Sequence, residues 1–235
     1  ECGRFLEIGN SVFMQYKKKG DGTFSDLPNK NVDFGGGLER ILAALNNDPD
    51  MFQTDVYKSI TGVVKKDLPE TSYRIVADHL KAAVFLIKDG VRPSNKEHGY
   101  VLRRLIRRSA IKLNKLGTDV ILNVCKKVVK EVAKIYSDVY PEVNKTNVSA
   151  VIEEEVIRFD KTLQTGLSEI RKLEKIDGKQ AFDFYQSYGF PFEVTEELFR
   201  EKGITVDRVE FQQEVERHRE KSRTSAAGKF KGCFA

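Results

Sequence analysis

The sequence predicts an α+β fold, in which a strand-rich segment with a row of glycines precedes a long series of helices. β-Branched and aromatic residues are frequent in "RFLEIGNSVFMQY" (residues 4–16), and "NVDF" (31–34) is a second strand candidate that runs into three glycines. From residue 38 onward, apolar residues recur at the three- and four-residue spacing of amphipathic helices. We therefore expect part of a β-sheet, followed by a mostly α-helical domain.

The sheet belongs to the first expected domain, residues 1–66. Gly, Asp and Pro in residues 17–30 predict a loop between the strand candidates. These strands are too few to close a sheet, so we expect sequence preceding this chain to supply the others. One face of the next predicted helix carries Leu38, Ile41, Leu42 and Leu45.

A helical domain is expected over residues 67–224, and a linker over residues 225–235. Gly117 suits the position just after a helix end, and Gly189 with Pro191 closes a short helix. The predicted helices after the first one cover residues 54–66, 72–88, 99–116, 119–136, 148–176, part of 177–191, 195–202 and 207–223.

Composition excludes several classes of protein. Apolar residues make up 40% of the 235 residues, but no apolar run is long enough to cross a bilayer, and we expect no membrane partner. The first residue is Glu1 and not Met, so we expect a piece of a longer protein. A reducing cytoplasm is predicted, with neither a disulfide framework nor a metal site, because three cysteines and three histidines are widely scattered. They are Cys2, Cys125, Cys233, His79, His98 and His218.

The segment "NVDFGGGLERILAAL" (31–45) allows two interpretations. Its carboxylate, three glycines and Glu-Arg pair could form the floor of a small-substrate pocket with a charged clamp above it. The same residues could instead form a strand-to-helix turn with good capping. The local pattern does not decide between the two.

Basic residues dominate "SNKEHGYVLRRLIRRSAIKLNKLG" (94–117), within a chain whose formal net charge is +5. Four arginines, Arg103, Arg104, Arg107 and Arg108, fall within six positions, and guanidinium groups bind phosphate through paired hydrogen bonds. One interpretation is a track along a nucleic-acid backbone. The other is a helix face paired with acidic helices, for which the glutamates of residues 153–155 are candidates.

These segments together resemble the alanyl-tRNA synthetase family of class II aminoacyl-tRNA synthetases. "RFLEIGNSVFMQY", "VDFGGGLERI", "RIVADHLKAAVFLIKDGVRPSN", "GYVLRRLIRR" and "FYQSYGFPFEVT" follow one another in the family's order. The resemblance implies the C-terminal part of a class II antiparallel catalytic sheet, with motif 3, and then a helical tRNA-recognition domain. It also implies a chain that begins after motifs 1 and 2 and stops before the editing domain, which holds the family's zinc site.

For the catalytic part, the resemblance implies two sets of contacts. Arg40 would grip the γ-phosphate of ATP, which brings Mg²⁺ with it, and Gly37 and Glu39 belong to the same motif. The alanine ammonium would bind Asp33. Asn10 would also contact alanine, and Gly35 would keep the pocket small. The piece by itself is expected to be inactive, since the missing motif 2 would supply a second arginine and the adenine contacts.

For the helical part, the resemblance implies recognition of the tRNA(Ala) acceptor stem, at a G·U pair read from the minor groove. Asn95 would approach the pair from one side, and Gln186 stands where the family has an aspartate on the other. The four arginines listed above would then contact the RNA backbone. A non-catalytic acceptor-stem binding module remains the alternative to a ligase. Oligomeric state stays open.

Overall fold

The protein is described by a computed structural model over residues 5–65, 68–145 and 147–230. The chain divides into two compact units, Glu1–Gly62 and Val63–Ala235. Within the described residues no helix combines the length and apolar character that crossing a membrane requires.

The first unit contains a β-hairpin and a short helix. Strand β1 (Gly9–Lys18) pairs in antiparallel orientation with β2 (Phe24–Gly36), and helix α1 (Leu38–Leu45) follows directly. The tight turn between the strands is closed by a 2.8 Å hydrogen bond from the Lys19 N–H to the Thr23 carbonyl. The predicted antiparallel arrangement is thus confirmed.

The predicted loop over residues 17–30 is wrong, because residues 24–30 belong to β2. The pairing shifts between Tyr16↔Asp26 and Met14↔Asn31, so residues 27–30 lie opposite the single residue Gln15. Pro28 falls within this bulge, where its missing N–H costs no ladder hydrogen bond. Proline inside a strand is what made the sequence look like a loop.

Helices make up the described part of the second unit. A division point after Gly62 lies within α2, and short 3₁₀ turns occur at Met51–Gln53 and Asn114–Leu116. The helices are α2 (Asp55–Val64), α3 (Glu70–Lys88), α4 (Glu97–Leu113), α5 (Thr118–Tyr136), α6 (Glu142–Lys145), α7 (Val148–Lys172), α8 (Gly178–Asp183), α9 (Phe192–Arg200) and α10 (Arg208–Phe230). A π-helical turn, Phe184–Tyr188, follows α8.

The main core of this unit lies between α3, α4, α5 and α7, which pack against one another. Each contributes a stripe of apolar residues at helical spacing, as the sequence predicts. Fully buried members of this core are Leu80, Ile87, Leu102, Ile106, Leu113, Ile121, Ile152, Phe159 and Leu163.

A second, aromatic cluster joins α8, α9 and α10. The Phe192 and Phe211 rings lie 4.5 Å apart, and Phe182 lies 6.2 Å from Phe211. Gly178 allows this close approach, since a Cβ atom there would lie 2.5 Å from the Glu210 Cβ. The segment that carries Gln186 is therefore held by packing on both sides.

Every helix predicted for residues 38–223 is present, and the structure differs in helix ends and in one additional short helix. Helix α7 ends at Lys172 and not at residue 176. At this end the Lys202 ammonium donates to the carbonyls of Ile170 and Leu173 at 2.8 and 3.0 Å. The four-residue helix α6 was not predicted. Helix α10 continues past residue 223 to Phe230, through part of the expected linker, and residues 231–235 lie outside the described residues.

Candidate functional site

The hairpin gathers three predicted alanine-binding residues on one face. Asn10 pairs directly with Gly35, and Val12 pairs with Asp33. Residues opposite each other in a ladder share a face, and so do residues two apart along a strand. Asn10, Asp33 and Gly35 therefore point to the same side, and all three are exposed.

The glycines of the hairpin serve two different purposes. On the other face, the Phe34 ring lies over Gly9 and Gly36, where added Cβ atoms would come within 2.8 and 3.1 Å of it. A Cβ atom at Gly35 would meet no described atom within 4 Å. Gly36 thus makes room for an aromatic ring, whereas Gly35 leaves the Asn10 face open.

The start of α1 carries the predicted ATP residues. Gly37 is the N-cap residue, and its N–H donates to the Ile8 carbonyl at 3.0 Å. Arg40 is exposed, and its Nη1 donates to the Glu7 carbonyl at 3.0 Å. A guanidinium has five N–H donors in all, so Arg40 can still bind an anion such as a phosphate. Glu39 is half-buried in the first turn of α1.

No cluster of three or more His, Cys, Asp or Glu side chains suited to a metal ion occurs among the residues that the structure describes.

The turn before α4 presents Asn95. The Ser94 N–H donates to the Gly99 carbonyl at 3.1 Å, and a Cβ atom at Gly99 would lie 2.5 Å from the Arg92 carbonyl oxygen. Glu97 has a φ of 48°, in the left-handed region that non-glycine residues seldom adopt. Exposed Asn95 accepts a hydrogen bond from Arg103 Nη1. The turn is therefore fixed on the first turns of the basic helix.

The outer arginines of α4 face carboxylates of α9. Arg104 Nη1 lies 2.9 Å from Glu193 Oε1, and Arg108 Nη2 lies 3.5 Å from Glu197 Oε2. Lys112 joins the second pair at 2.7 Å from Glu197 Oε1. Burial alone would raise the pKa of Glu197, but Lys112 and Arg108 hold it below its ordinary value. Arg104, Arg108 and Lys112 of α4 are thus paired with the acidic side chains of α9.

Arg107 lies deeper, in a buried pair with Glu155 of α7. Its Nη2 and Nε lie 2.6 and 2.7 Å from Glu155 Oε1, and the two side chains are 11% and 1% exposed. Its Nη1 donates to the Gly189 carbonyl at 2.7 Å, and its guanidinium covers the Phe159 ring. Burial lowers the pKa of Arg107, and the Glu155 charge opposes that shift. Arg107 is therefore an internal contact of the fold.

Gln186 lies in the π-helical turn and is exposed, without a side-chain hydrogen bond to any described residue. Gly189, with a φ of 71°, ends that turn and binds Arg107. Glu155 also forms an ion pair with Arg103, whose Nε lies 3.4 Å from Oε1. A chain of contacts therefore runs from Asn95 through Arg103, Glu155 and Arg107 to Gly189, three residues after Gln186.

A cleft of about 400 Å³, which no sequence pattern indicated, lies beside the Asn95 turn. We call it the Arg92–Arg158 cleft; its lining includes Arg92, Pro93, Asn147, Glu154, Glu155 and Arg158. The turn and α7 are more than 50 residues apart in the chain, so only the tertiary fold brings them together.

Comparisons with known proteins agree on one family. The family model described as tRNA synthetases class II (A) matches residues 1–233. The chain is 37% identical to an alanine–tRNA ligase of Shouchella clausii and 40% identical to one of Elusimicrobium minutum, in each case over 96% of its residues. An alanine–tRNA ligase of Nitrosospira multiformis is 39% identical over 95% of the chain. The chain spans only 27–28% of the length of these relatives.

Proposed function

Because the chain belongs to the tRNA synthetase class II (A) family, we propose that it is part of an alanine–tRNA ligase. Such a ligase activates alanine with ATP and transfers the alanyl group to the 3′ end of tRNA(Ala). The hairpin and α1 supply part of the alanine and ATP pocket, and the helical unit binds the acceptor stem. The scattered cysteines favour the cytoplasm as its compartment.

The observation that carries this proposal is the shared face of Asn10, Asp33 and Gly35. A carboxylate is the natural partner of the substrate ammonium, and Asn10 supplies both donors and an acceptor beside it. Gly35 leaves room for a methyl group. Such a pocket rejects a larger side chain only weakly, by about 1–3 kcal/mol per methylene. We therefore expect a separate editing activity to supply the remaining specificity.

Arg40 has the chemistry to bind the γ-phosphate of ATP, and bound ATP would bring Mg²⁺. In the first step the alanine carboxylate attacks the α-phosphorus and pyrophosphate leaves. In the second, a ribose hydroxyl of the tRNA 3′ end attacks the carbonyl carbon and AMP leaves. Neither step needs a protein nucleophile. The protein contributes positioning and stabilisation of charge.

The helical unit would then hold the acceptor stem with exposed Asn95 and Gln186 on either side of its minor groove. The contacts of Arg104, Arg107 and Arg108 with glutamates support a structural part for these residues. A purely RNA-binding relative without catalysis would have no need of the open Gly35 face, so we favour the ligase over that alternative.

The test is Arg40→Ala in the full-length protein, measured by ATP–pyrophosphate exchange with alanine. Loss of a charge-assisted phosphate contact should raise the barrier to activation by several kcal/mol, that is, by about 100-fold or more in rate. Stability should change little, because Arg40 is exposed and makes one hydrogen bond to the described residues.

The control is Lys30→Ala, which removes another exposed cation from the first unit. We expect it to leave exchange unchanged. Wild-type exchange in Arg40→Ala, or an equal loss in both variants, would contradict the assignment of Arg40 to the ATP site.

A further inference from the structure

We infer that the Arg92–Arg158 cleft binds one ribose–phosphate unit of the tRNA strand that runs past Asn95, an inference that rests on the proposed function. The cleft is large enough for such a unit, at about 400 Å³. Its lining offers donors for a phosphate and an acceptor for a hydroxyl.

Both arginines of this cleft are accessible to a ligand. Arg92 is exposed and forms no hydrogen bond or ion pair with a described residue. Arg158 is 62% exposed, and its contact with Glu155 Oε2 is long, at 3.8 Å. By contrast, Arg104, Arg107 and Arg108 of α4 are engaged with glutamates. A phosphate therefore finds accessible guanidinium groups in the cleft and not along α4.

The second feature is a buried acceptor that lacks a donor. Glu155 is 1% exposed, yet its Oε2 makes no hydrogen bond with the described residues, although Glu155 lines the cleft. A buried carboxylate oxygen without a donor destabilises the folded protein, because it has lost its hydrogen bonds to water. A hydroxyl group that entered the cleft would satisfy it, and the ribose 2′-OH is the hydroxyl that an RNA backbone supplies.

The carboxylates of the cleft do not forbid a phosphate. Glu155 is already countered on Oε1 by Arg103 and Arg107. Exposed Glu154 is therefore the remaining negative charge, against the two positive charges of Arg92 and Arg158. This balance favours a ligand that carries both an anion and a donor over a bare anion.

The experiment measures binding of a fluorescent RNA hairpin with the tRNA(Ala) acceptor-stem sequence to the full-length protein across a range of salt concentrations. In Arg92→Ala/Arg158→Ala, the slope of log affinity against log salt should decrease in magnitude by roughly 1 unit, since the contacts to one phosphate are lost. The matched control, Arg171→Ala/Arg200→Ala, removes two exposed arginines from α7 and α9 outside the cleft and should keep the wild-type slope.

A second arm tests the sugar contact with the same hairpin made of deoxyribose. The wild-type protein should prefer RNA by roughly fivefold on account of this contact, the equivalent of about 1 kcal/mol, and the cleft variant should lose that part of the preference. Both double variants should keep ATP–pyrophosphate exchange.

The outcomes separate two failures. If the wild-type protein does not bind the RNA hairpin, both the proposed function and the inference about the cleft are wrong. If wild-type protein binds but the slope and the RNA preference are unchanged in the cleft variant, or fall equally in the control, the cleft inference alone is overturned.

Discussion

Gly35 differs from the other glycines of the hairpin because its missing side chain faces open space. Gly35→Ala should leave the fold intact, since the new methyl group meets no described atom within 4 Å. If the Asn10 face binds alanine, the methyl group should compete with the substrate and raise the KM for alanine roughly tenfold or more. ATP–pyrophosphate exchange at varied alanine concentration measures it.

The comparison variant is Gly36→Ala, where the new Cβ lies 3.1 Å from the Phe34 ring and 3.3 Å from Ile41 Cδ1. That variant should lower the melting temperature of the hairpin unit. An unchanged KM in Gly35→Ala, with the fold intact, would place the alanine pocket elsewhere.

Gln186 is a second single residue with a specific expectation. Gln186 is neutral and exposed. The hydrogen bond that its amide oxygen accepts from a guanine 2-amino group should therefore be weaker than one that a carboxylate accepts. We predict that tRNA selection relies on Asn95 and is less strict for G·U. Aminoacylation of acceptor-stem helices with G·U or G·C should show sharper discrimination in Gln186→Asp than in the wild type.

Gln186→Ala completes that comparison. The same G·U to G·C ratio in all three proteins would show that Gln186 takes no part in reading this pair. The protein would then read another feature of its tRNA.

Single residues also show where sequence reasoning stops. The "GGGLER" segment drew attention through its local glycine spacing and charge, but only the resemblance to the family assigned roles to Gly35 and Arg40. The pairing of Arg107 with Glu155 joins residues 48 apart in sequence, and nothing local distinguishes Arg107 from Arg104. Burial decides which arginine is structural, and burial depends on how the helices pack.

At the scale of elements, α4 is held to α7 by a buried ion pair and to α9 by half-exposed ones. Arg107→Ala should lower the free energy of unfolding by roughly 3–5 kcal/mol, since it leaves the Glu155 carboxylate buried with less compensation. Arg104→Ala should cost only about 0–1 kcal/mol, because Arg104 and Glu193 are 34% and 30% exposed. Urea denaturation of the two variants compares them directly.

Equal losses of stability in these two variants would contradict this ranking. Retained stability in Arg107→Ala, together with a large loss of RNA affinity, would restore Arg107 to the RNA interface.

Helix existence was predictable from apolar spacing, whereas helix ends were less so. Lys202, whose ammonium caps α7, lies about 30 positions later in the chain, after helices α8 and α9. The same limit explains β2, where Pro28 is tolerated only because the pairing is irregular at that place. Long-range contacts fix these boundaries, and a local pattern does not record them.

For the whole helical unit, the core thiol of Cys125 gives a pH dependence. Burial raises the pKa of Cys125 from 9.0 to about 12. In the unfolded chain the thiol ionises from about pH 9, while in the folded protein it stays neutral to about pH 12. The unfolded state therefore binds fewer protons in this window, and the free energy of unfolding falls as pH rises, by up to about 1.4 kcal/mol per unit for this group.

Chemical denaturation from about pH 8 to about pH 11, a range that includes the onset of thiol ionisation, measures this slope. Cys125→Val removes the group and should flatten it. Some slope should remain, because burial also raises the pKa of Tyr100 to about 12. Identical slopes in the two proteins would show that Cys125 is exposed to solvent before global unfolding.

The buried arginines of α4 also affect how such a sequence can diverge over generations. Selection for folding alone would retain Arg103 and Arg107, since both contact the buried carboxylate of Glu155. A gene copy no longer selected for the proposed RNA binding would keep the "LRRLIRR" signature, while Arg92 and Arg158 would be free to drift. Motif searches that rely on that signature would then recover descendants that keep the ancestral fold but have a different function.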